Sequence, residues 1–384
     1  MRTVCQLWKL TIVMKWKFLL VVIGKRMYDI EKQGGDIVMN GCMNPINGQS
    51  KAKRKLWGSP QNIISWTFMK QLRERGGGKV YDCNPYIEVY QFRDNLYGLF
   101  NQNCDGAGDV WMWLTIGPEK CLLVDTAFGV GDTRALVKEL AGDKEIIVVN
   151  THDHFDHAFG NCRFDRVYCH EALVPLLQAQ HEHMWDYLWD KETGETIWLD
   201  FDRKDLPEFK PYEIIGVPDG YTWDLGGGYE IELINSHGHG GPGAAMYLDK
   251  HNKILFAGDN ICSDVSGCGS VSYPIEECSL YQFRECVKKL VARIDEIDWL
   301  FPEHFMCDLE NRLLCDFLEA LDSILENPAE NYDYISEKIS PNNVNAPPIK
   351  RYNKYVKGFS IISYSIEEKA TAVTPAAIRA LTKK

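Results

Sequence analysis

Short apolar runs, separated by glycine, proline and polar residues, recur along the chain from residue 86 onward. Residues 87–92 (IEVYQF) alternate apolar and polar positions, which is typical of a strand with one buried face. Residues 110–116 (VWMWLTI) and 146–149 (IIVV) are apolar throughout, as expected of strands that are covered on both faces. The pattern therefore predicts buried strands in a layered protein.

Helical periodicity, with apolar residues three or four positions apart, lies between these runs. It predicts helical segments at 133–140, 171–189, 280–294 and 309–325. Further strands are predicted at 121–126, 229–234, 244–248, 253–256 and 359–364. This mixture of helices and strands predicts an α/β (α+β) fold.

The first part of the chain differs from the rest. Residues 1–79 contain the basic stretch KAKRK, a glycine pair at 34–35 and a run of three glycines at 76–78, and they are predicted to form a partly flexible N-terminal extension with one helix at 63–75. The apolar run 18–23 is too short for a membrane span, and Lys25 and Arg26 follow it at once. We therefore expect a cytoplasmic protein without stable membrane insertion.

Composition sets bounds on the function. The formal net charge of −12 argues against a nucleic-acid partner, because binding to phosphates relies on Lys and Arg. Hydrophobic residues make up 45% of the chain, which is enough for a large core. The 13 cysteines contain no CxxC pair, so we expect reduced thiols rather than a disulfide framework.

A cluster of histidines and carboxylates follows the apolar run 146–149. His152, His154, Asp156 and His157 form the pattern HxHxDH, which holds three of the ten histidines. Imidazole nitrogens and carboxylate oxygens are the donors that Zn²⁺ and similar divalent ions take. Side chains two apart on an extended loop point the same way, so the first two histidines can share one ion. The pattern predicts a metal site at the end of a strand.

HxHxDH, followed here by Gly160 and Asn161, resembles the first metal motif of the metallo-β-lactamase superfamily. The resemblance covers roughly residues 81–310. It implies a four-layer αβ/βα sandwich of two similar halves, with the domain spanning residues 80–384 and a helical and strand elaboration after residue 305.

The superfamily needs three further ligands, each after a strand, and the resemblance implies His239, Asp259 and His304. His237 offers a competing ligand, because the chain has HGGPG where the family usually has His-Thr-Pro-Gly. We expect His237 in the turn or beside the substrate pocket. An aspartate at 259, where true β-lactamases usually carry Cys or Ser, is similar to the glyoxalase II and lactonase branches.

The resemblance also implies the chemistry. Two divalent ions are expected, most simply Zn²⁺, with iron or manganese as alternatives. One ion would be held by His152, His154 and His239, and the other by Asp156, His157 and His304. Asp259 would be shared by both. A metal-bound hydroxide would attack an ester, lactone, thioester or amide. Asp156 would carry the proton to the leaving group. The chain is thus expected to be a dinuclear metal-dependent hydrolase with a small-molecule substrate.

Other reaction classes stay open at this point. Persulfide dioxygenases of the superfamily keep a similar ligand set around a single iron, whereas the flavodiiron branch carries Glu at the position of His154. A metal-dependent phosphodiesterase is a further alternative, which the acidic balance of the chain disfavours. The substrate and the oligomeric state are not predicted.

The interval between the first motif and His239 is rich in aromatic residues. Family members place substrate-covering insertions here, so we expect Trp185, Tyr187 and Trp189 to line the pocket; ordinary packing against the sheet is the alternative. Asp125, at the end of an early strand, is expected to support a ligand by hydrogen bonding or to cap the following turn.

Overall fold

The computed structural model describes residues 48–54, 63–75, 77–102, 109–197, 199–272, 274–338, 349–357 and 360–366. All of them belong to one structural unit, Pro45–Lys384. The run 18–23 and the flexibility predicted for residues 1–47 lie outside the described residues.

The helices and strands are, in chain order, β1 (Lys53–Arg54), α1 (Ile63–Glu74), β2 (Lys79–Tyr81), β3 (Asn84–Arg93), β4 (Leu96–Asn101), β5 (Val110–Ile116), β6 (Lys120–Val124), α2 (Thr133–Ala141), β7 (Glu145–Val149), α3 (Phe155–Ala158), β8 (Arg166–His170), α4 (Val174–Gln178), β9 (Leu199–Asp200), β10 (Glu213–Val217), β11 (Thr222–Asp224), β12 (Glu230–Asn235), β13 (Ala245–Asp249), β14 (Ile254–Phe256), β15 (Val265–Val271), α5 (Ser279–Ala292), β16 (Trp299–Phe301), β17 (Leu309–Glu310), α6 (Arg312–Glu326), β18 (Tyr334–Lys338), β19 (Ile349–Val356) and β20 (Ser360–Ile366).

Two large sheets form the centre of the fold. The first has eight strands in the order β10-β8-β7-β6-β5-β4-β3-β2, and the second has six in the order β11-β12-β13-β14-β16-β17. Strand β6 pairs with β7 in parallel, and so does β14 with β16. Parallel neighbours end at the same edge of a sheet, so the loops that follow β6 and β7 lie at one edge of the first sheet, and those that follow β14 and β16 at one edge of the second.

Strand β5 shows how the layers are built. Trp111 and Trp113 point into the core between the two sheets, where the rings of Trp113 and Phe301 lie edge to face at 4.9 Å. Met112 points the other way and packs with Leu136 of α2. Because both faces are covered, the strand is apolar throughout.

Helices cover the outer face of the second sheet as well. Leu248 and Leu255 pack there with Phe283 of α5 and Leu321 of α6. The resulting order of helix, sheet, sheet and helix confirms the four-layer αβ/βα sandwich.

A third sheet follows the second half, with the strand order β15-β20-β19-β18. One face, which includes Ile362 and Tyr364, packs in the same core as α5 and α6. Of these four strands only β20 was predicted. Residues 349–356 (IKRYNKYV) of β19, for example, carry too many charged side chains to be typical of a buried strand.

The helical segment predicted over 171–189 is largely wrong. Only α4 is α-helical there, with short 3-10 turns at Glu171–Leu173 and Asp186–Leu188. Residues 178–183 (QAQHEH) lack the apolar positions that would continue a buried helix face.

Residues 48–54 and α1 lie within the predicted extension, and both are attached to the first sheet or its loops. Met69 is buried in the core between the sheets, and β1 pairs with β9. Arg73 forms a buried ion pair with Glu88, with Nε–Oε2 and Nη2–Oε1 distances of 2.9 Å. The hydroxyl of Tyr90 and the amide of Gln49 also donate to this carboxylate, at 2.5 Å and 2.9 Å.

The cysteines were expected to be reduced thiols. In the described part of the chain, Cys121, Cys169 and Cys286 are buried and form no disulfide bond. None of the described helices combines the length and the apolar character that a membrane crossing requires.

The Arg73→Met variant should lower the free energy of unfolding by about 3–5 kcal/mol, because it leaves the Glu88 carboxylate buried without its cation. Urea unfolding followed by tryptophan fluorescence measures the change. Arg75→Met is the matched control, since Arg75 is exposed on the same helical turn, and it should cost less than about 0.5 kcal/mol. Equal stability of the two variants would contradict a role for the ion pair.

Candidate metal centre

The side chains named from the sequence leave the ends of strands and meet at one edge of the two sheets. His152 and His154 follow β7, His239 follows β12, Asp259 follows β14 and His304 follows β16. The expected convergence of these strand ends is therefore present in the described structure.

The first group consists of His152, His154 and His239, whose nearest ring nitrogens all lie within 4.8 Å of one another. The closest pair is His239 Nε2 and His154 Nδ1, at 2.9 Å. His154 therefore offers its Nδ1 atom to the same point that His239 approaches with Nε2.

The second group consists of Asp156, His157 and His304. The Nε2 atoms of His157 and His304 are 3.3 Å apart. Asp156 Oδ2 is 3.4 Å from His304 Nε2, and its Oδ1 is 3.7 Å from His157 Nε2. Three donors again face one point.

Asp259 lies between the two groups. Its Oδ2 atom is 3.4 Å from His239 Nε2 and 3.3 Å from His304 Nε2. Its Oδ1 atom is 3.4 Å from His157 Nε2. One carboxylate is thus in reach of ligand atoms from both groups.

The arrangement of polar atoms fits divalent cations. In the described structure, His152 Nε2 and Asp259 Oδ1 are buried without a hydrogen-bond partner. A buried polar atom without a partner is costly, and a cation at the focus of each group would supply one. Nitrogen and oxygen donors in this combination suit Zn²⁺, Fe²⁺ or Mn²⁺.

The pKa values of the histidines depend on burial and on how close each imidazole lies to a carboxylate. Burial lowers the pKa of His239 to about 4, and burial with the charges of His157 and His154 lowers that of His152 well below its usual value. Burial also opposes the charged form of His304, but the carboxylates of Asp259 and Asp156 outweigh it and raise the pKa to about 10. His152 and His239 therefore favour the neutral form that binds a cation, whereas a cation in the second group would compete with a proton on His304.

Each of four histidines is oriented by a bond to its second ring nitrogen. The Nδ1 atoms of His239 and His304 lie 2.7 Å and 2.8 Å from the carbonyl oxygens of Gly267 and Asp109. His152 Nδ1 lies 2.9 Å from Thr151 Oγ1. The sequence gives no indication of the carbonyl partners, since any residue carries a carbonyl, whereas the threonine beside the motif could have been considered.

Asp125 supports the fourth histidine, as expected. Its Oδ2 atom accepts from His157 Nδ1 at 2.8 Å, and its Oδ1 accepts from the Thr151 amide at 2.8 Å. Asp125 is fully buried and adopts a left-handed backbone conformation with φ of 62°. These hydrogen bonds compensate for that conformation and link the end of β6 to the first motif.

The Gly160-Asn161 pair after the motif fixes its loop. A Cβ atom at Gly160 would lie 2.2 Å from the carbonyl oxygen of Thr126, so the close approach requires glycine. Asn161 Oδ1 accepts from Thr126 Oγ1 at 2.8 Å and from Asn150 Nδ2 at 3.1 Å.

Glu303 was not singled out from the sequence. Both of its carboxylate oxygens are buried with no hydrogen-bond partner among the described residues. Burial, together with the charge of Asp125, raises its pKa well above the usual value. Its position within WLFPEH gives no indication of this environment.

The predicted pocket residues lie at different distances from the centre. Trp185 is buried in a separate aromatic core, where its Nε1 donates to the Phe128 carbonyl at 3.0 Å. The ring of Tyr187 is 6.1 Å from that of Phe155, which in turn stacks at 6.4 Å on His154.

The other two pocket candidates lie elsewhere. Trp189 packs against Phe201, with ring centroids 5.5 Å apart, and beneath the guanidinium of Arg203. His237 lies in a left-handed turn with φ of 54°, where its charged neighbours are His170, Asp219 and Lys289. Neither belongs to the groups of ligand atoms described above.

Together, the fold and the site define an αβ/βα sandwich with a His/Asp centre at the edge of its sheets. A family model described as the metallo-beta-lactamase superfamily matches residues 105–304, more than half of the 384 residues. The chain belongs to this superfamily, which confirms the family and the fold expected from the sequence.

Known proteins with similar sequences include an acyl-coenzyme A thioesterase, MBLAC2. The Homo sapiens protein is 24% identical over 227 residues, which cover 55% of this chain and 78% of that protein. The Gallus gallus protein is 22% identical over 207 residues, covering 50% and 72%. A metallo-beta-lactamase from Pontibacter korlensis of known structure is 17% identical, with a TM-score of 0.43 and coverage of 61% of this chain and 98% of its own.

The Asp125→Asn variant should weaken metal binding by about 10- to 100-fold, because His157 loses the carboxylate that orients its ring. Asparagine tolerates the left-handed backbone, so the fold should be kept. Competition with a chromophoric chelator measures the affinity. Asp143→Asn, at an exposed position, is the control. Unchanged affinity in Asp125→Asn would exclude this supporting role.

Proposed function

We propose that the chain is a metal-dependent hydrolase that cleaves thioesters and uses two divalent ions, with Zn²⁺ as the preferred metal. The observation that carries the proposal is the position of Asp259, whose Oδ2 atom lies between His239 and His304 of the two groups. A carboxylate in this position can bridge two cations. The superfamily and the two thioesterase relatives support a hydrolase.

Divalent ions, when bound, supply Lewis acidity that lowers the pKa of water and offsets the charge of a developing oxyanion. The protein's own contribution is to orient donors and to move protons. Asp156 accepts the proton of the attacking water and passes it to the leaving sulfur. A bond forms between the water oxygen and the carbonyl carbon, the C–S bond breaks, and a carboxylic acid and a thiol are released.

Thioesters fit this scheme better than the other substrates that the sequence leaves open. A thiol has a pKa of about 8.5, so a thiolate leaves with less proton transfer than an alkoxide or an amine needs. Asp156 then needs to transfer little of a proton to the leaving sulfur while the C–S bond breaks. The names of the relatives point to the same class of bond.

The variants His154→Ala and Asp259→Ala should lose bound metal and thioester turnover together. The loss of metal affinity should exceed about 100-fold, the loss that can follow when a residue hydrogen-bonded to a ligand is removed, because here the ligand itself is removed. Elemental analysis and a thiol-release assay on the same samples measure both quantities. His183→Ala, at an exposed histidine, is the control. Metal content and rate that stay at the wild-type level in both ligand variants would refute the proposal.

A further inference from the structure

One face of the third sheet borders the metal centre. A Cβ atom added to Gly267 of β15 would lie 2.7 Å from His239 Nδ1, so this face of the strand is directed at the His239 ring. Gly267 lies beside Ser363 of β20, which in turn lies beside Asn353 of β19. Cross-strand partners point to the same face of a sheet, so these two side chains lie on the face that borders His239.

Arg351 lies on the same face, two residues before Asn353. Its Nε atom donates to Ser363 Oγ at 3.3 Å, and its Nη2 donates to the Ser363 carbonyl at 2.6 Å. These bonds hold the guanidinium at β20, one strand away from Gly267. Since neighbouring strands are about 4.8 Å apart, the guanidinium lies about one strand spacing from the backbone of Gly267, which orients the His239 ring.

The charge of Arg351 is not balanced within the described structure. Two other partly buried arginines contact carboxylates: Arg284 Nε lies 2.6 Å from Asp322, and Arg293 Nη1 lies 2.8 Å from Glu232. Arg163 resembles Arg351 instead, because it donates to the carbonyl oxygens of Gly129 and Asp205. Among the described residues, Arg351 donates only to Ser363 and forms no ion pair. Burial also lowers the pKa of its guanidinium.

The chemistry of the guanidinium indicates the ligand. It carries five N–H donors in a planar fork, and two are taken by Ser363. The remaining donors match the oxygens of a carboxylate or a phosphate. Two rows along the same face, Tyr355 and Val265 are 60% and 39% exposed, so the face reaches solvent there, whereas Ser363 and Asn353, which lie between these two residues and Arg351, are buried.

We propose that Arg351 binds an anionic group of the substrate, a phosphate or a carboxylate, and so selects anionic thioesters. This inference rests on the proposed function, because the site that it serves is the thioesterase centre. Arg351 does not touch the reacting bond; it is a specificity residue that holds a remote part of the substrate.

The test compares three thioesters with the same acyl group: one of coenzyme A, which carries phosphates, one of glutathione, which carries carboxylates, and one of uncharged N-acetylcysteamine. Arg351→Met should lower kcat/KM about 10- to 100-fold for a charged thioester, mainly through KM, and leave the uncharged one unchanged. Arg351→Lys should recover part of the loss. Lys350→Met removes the adjacent exposed cation, whose side chain lies over Tyr352 on the opposite face, and is the control.

The outcomes separate the two sources of negative charge. A loss confined to the coenzyme A thioester identifies a phosphate, and a loss confined to the glutathione thioester identifies a carboxylate; a loss on both supports anion binding in general. An equal loss on all three thioesters, or none on any, overturns the assignment. Metal content and circular dichroism, unchanged in Arg351→Met, exclude an effect on the centre or the fold.

The inference can also fail separately from the proposed function. If the wild type cleaves none of the three thioesters, the proposed function fails, and calorimetric titration with coenzyme A and with glutathione still tests Arg351. Binding that is about tenfold weaker in Arg351→Met than in the wild type supports the anion site. If the wild type and Arg351→Met bind these ligands equally well, or if the wild type binds neither ligand, the anion site is overturned.

Discussion

The carboxylate of Asp259 lies between two clusters of imidazole nitrogens, and the centre depends on its being held there. Asp259 lies three residues after β14, a strand with neighbours on both sides in the second sheet, so the loop that carries the carboxylate starts from a rigid element. A carboxylate at this depth needs opposite charge nearby. In our proposal two cations provide that charge, and, despite burial, the carboxylates of Asp259 and Asp156 already raise the pKa of His304 to about 10.

The residues around the ligands explain why the strand ends meet. Asp125 joins the end of β6 to the first motif through Thr151 and His157. The carbonyls of Gly267 and Asp109 then orient histidines that come from the second half of the fold. Each half therefore supplies ligands and also positions part of the centre. Because Gly267 belongs to the third sheet, that elaboration is tied to the centre as well.

The sequence predicted most reliably what is encoded locally. His152, His154, Asp156 and His157 are close in the chain and follow a strongly apolar strand, so their meeting could be predicted from spacing. His239, Asp259 and His304 required a resemblance to a known family, because no local pattern shows which strand ends are neighbours in space. The apolar periodicity of β5 likewise predicted a strand covered on both faces.

What could not be predicted depends on register and on long-range packing. Gly267 orients His239 through its backbone carbonyl. The position of Arg351 relative to Gly267 follows from the pairing of β15, β20 and β19. Trp185 was expected to line the pocket, and its ring packs in an aromatic core whose edge includes Phe155, the neighbour of His154. The fold and the approach of the candidate ligands were thus within reach of sequence reasoning, whereas the surroundings that orient these side chains were not.

The central claim is that two cations share Asp259. Anomalous X-ray scattering at the zinc absorption edge, from crystals of the zinc-loaded protein, tests it most directly. We expect two zinc peaks per chain, one among His152, His154 and His239 and one among Asp156, His157 and His304, both in contact with Asp259. A single peak, or two peaks that do not share this carboxylate, would contradict the account.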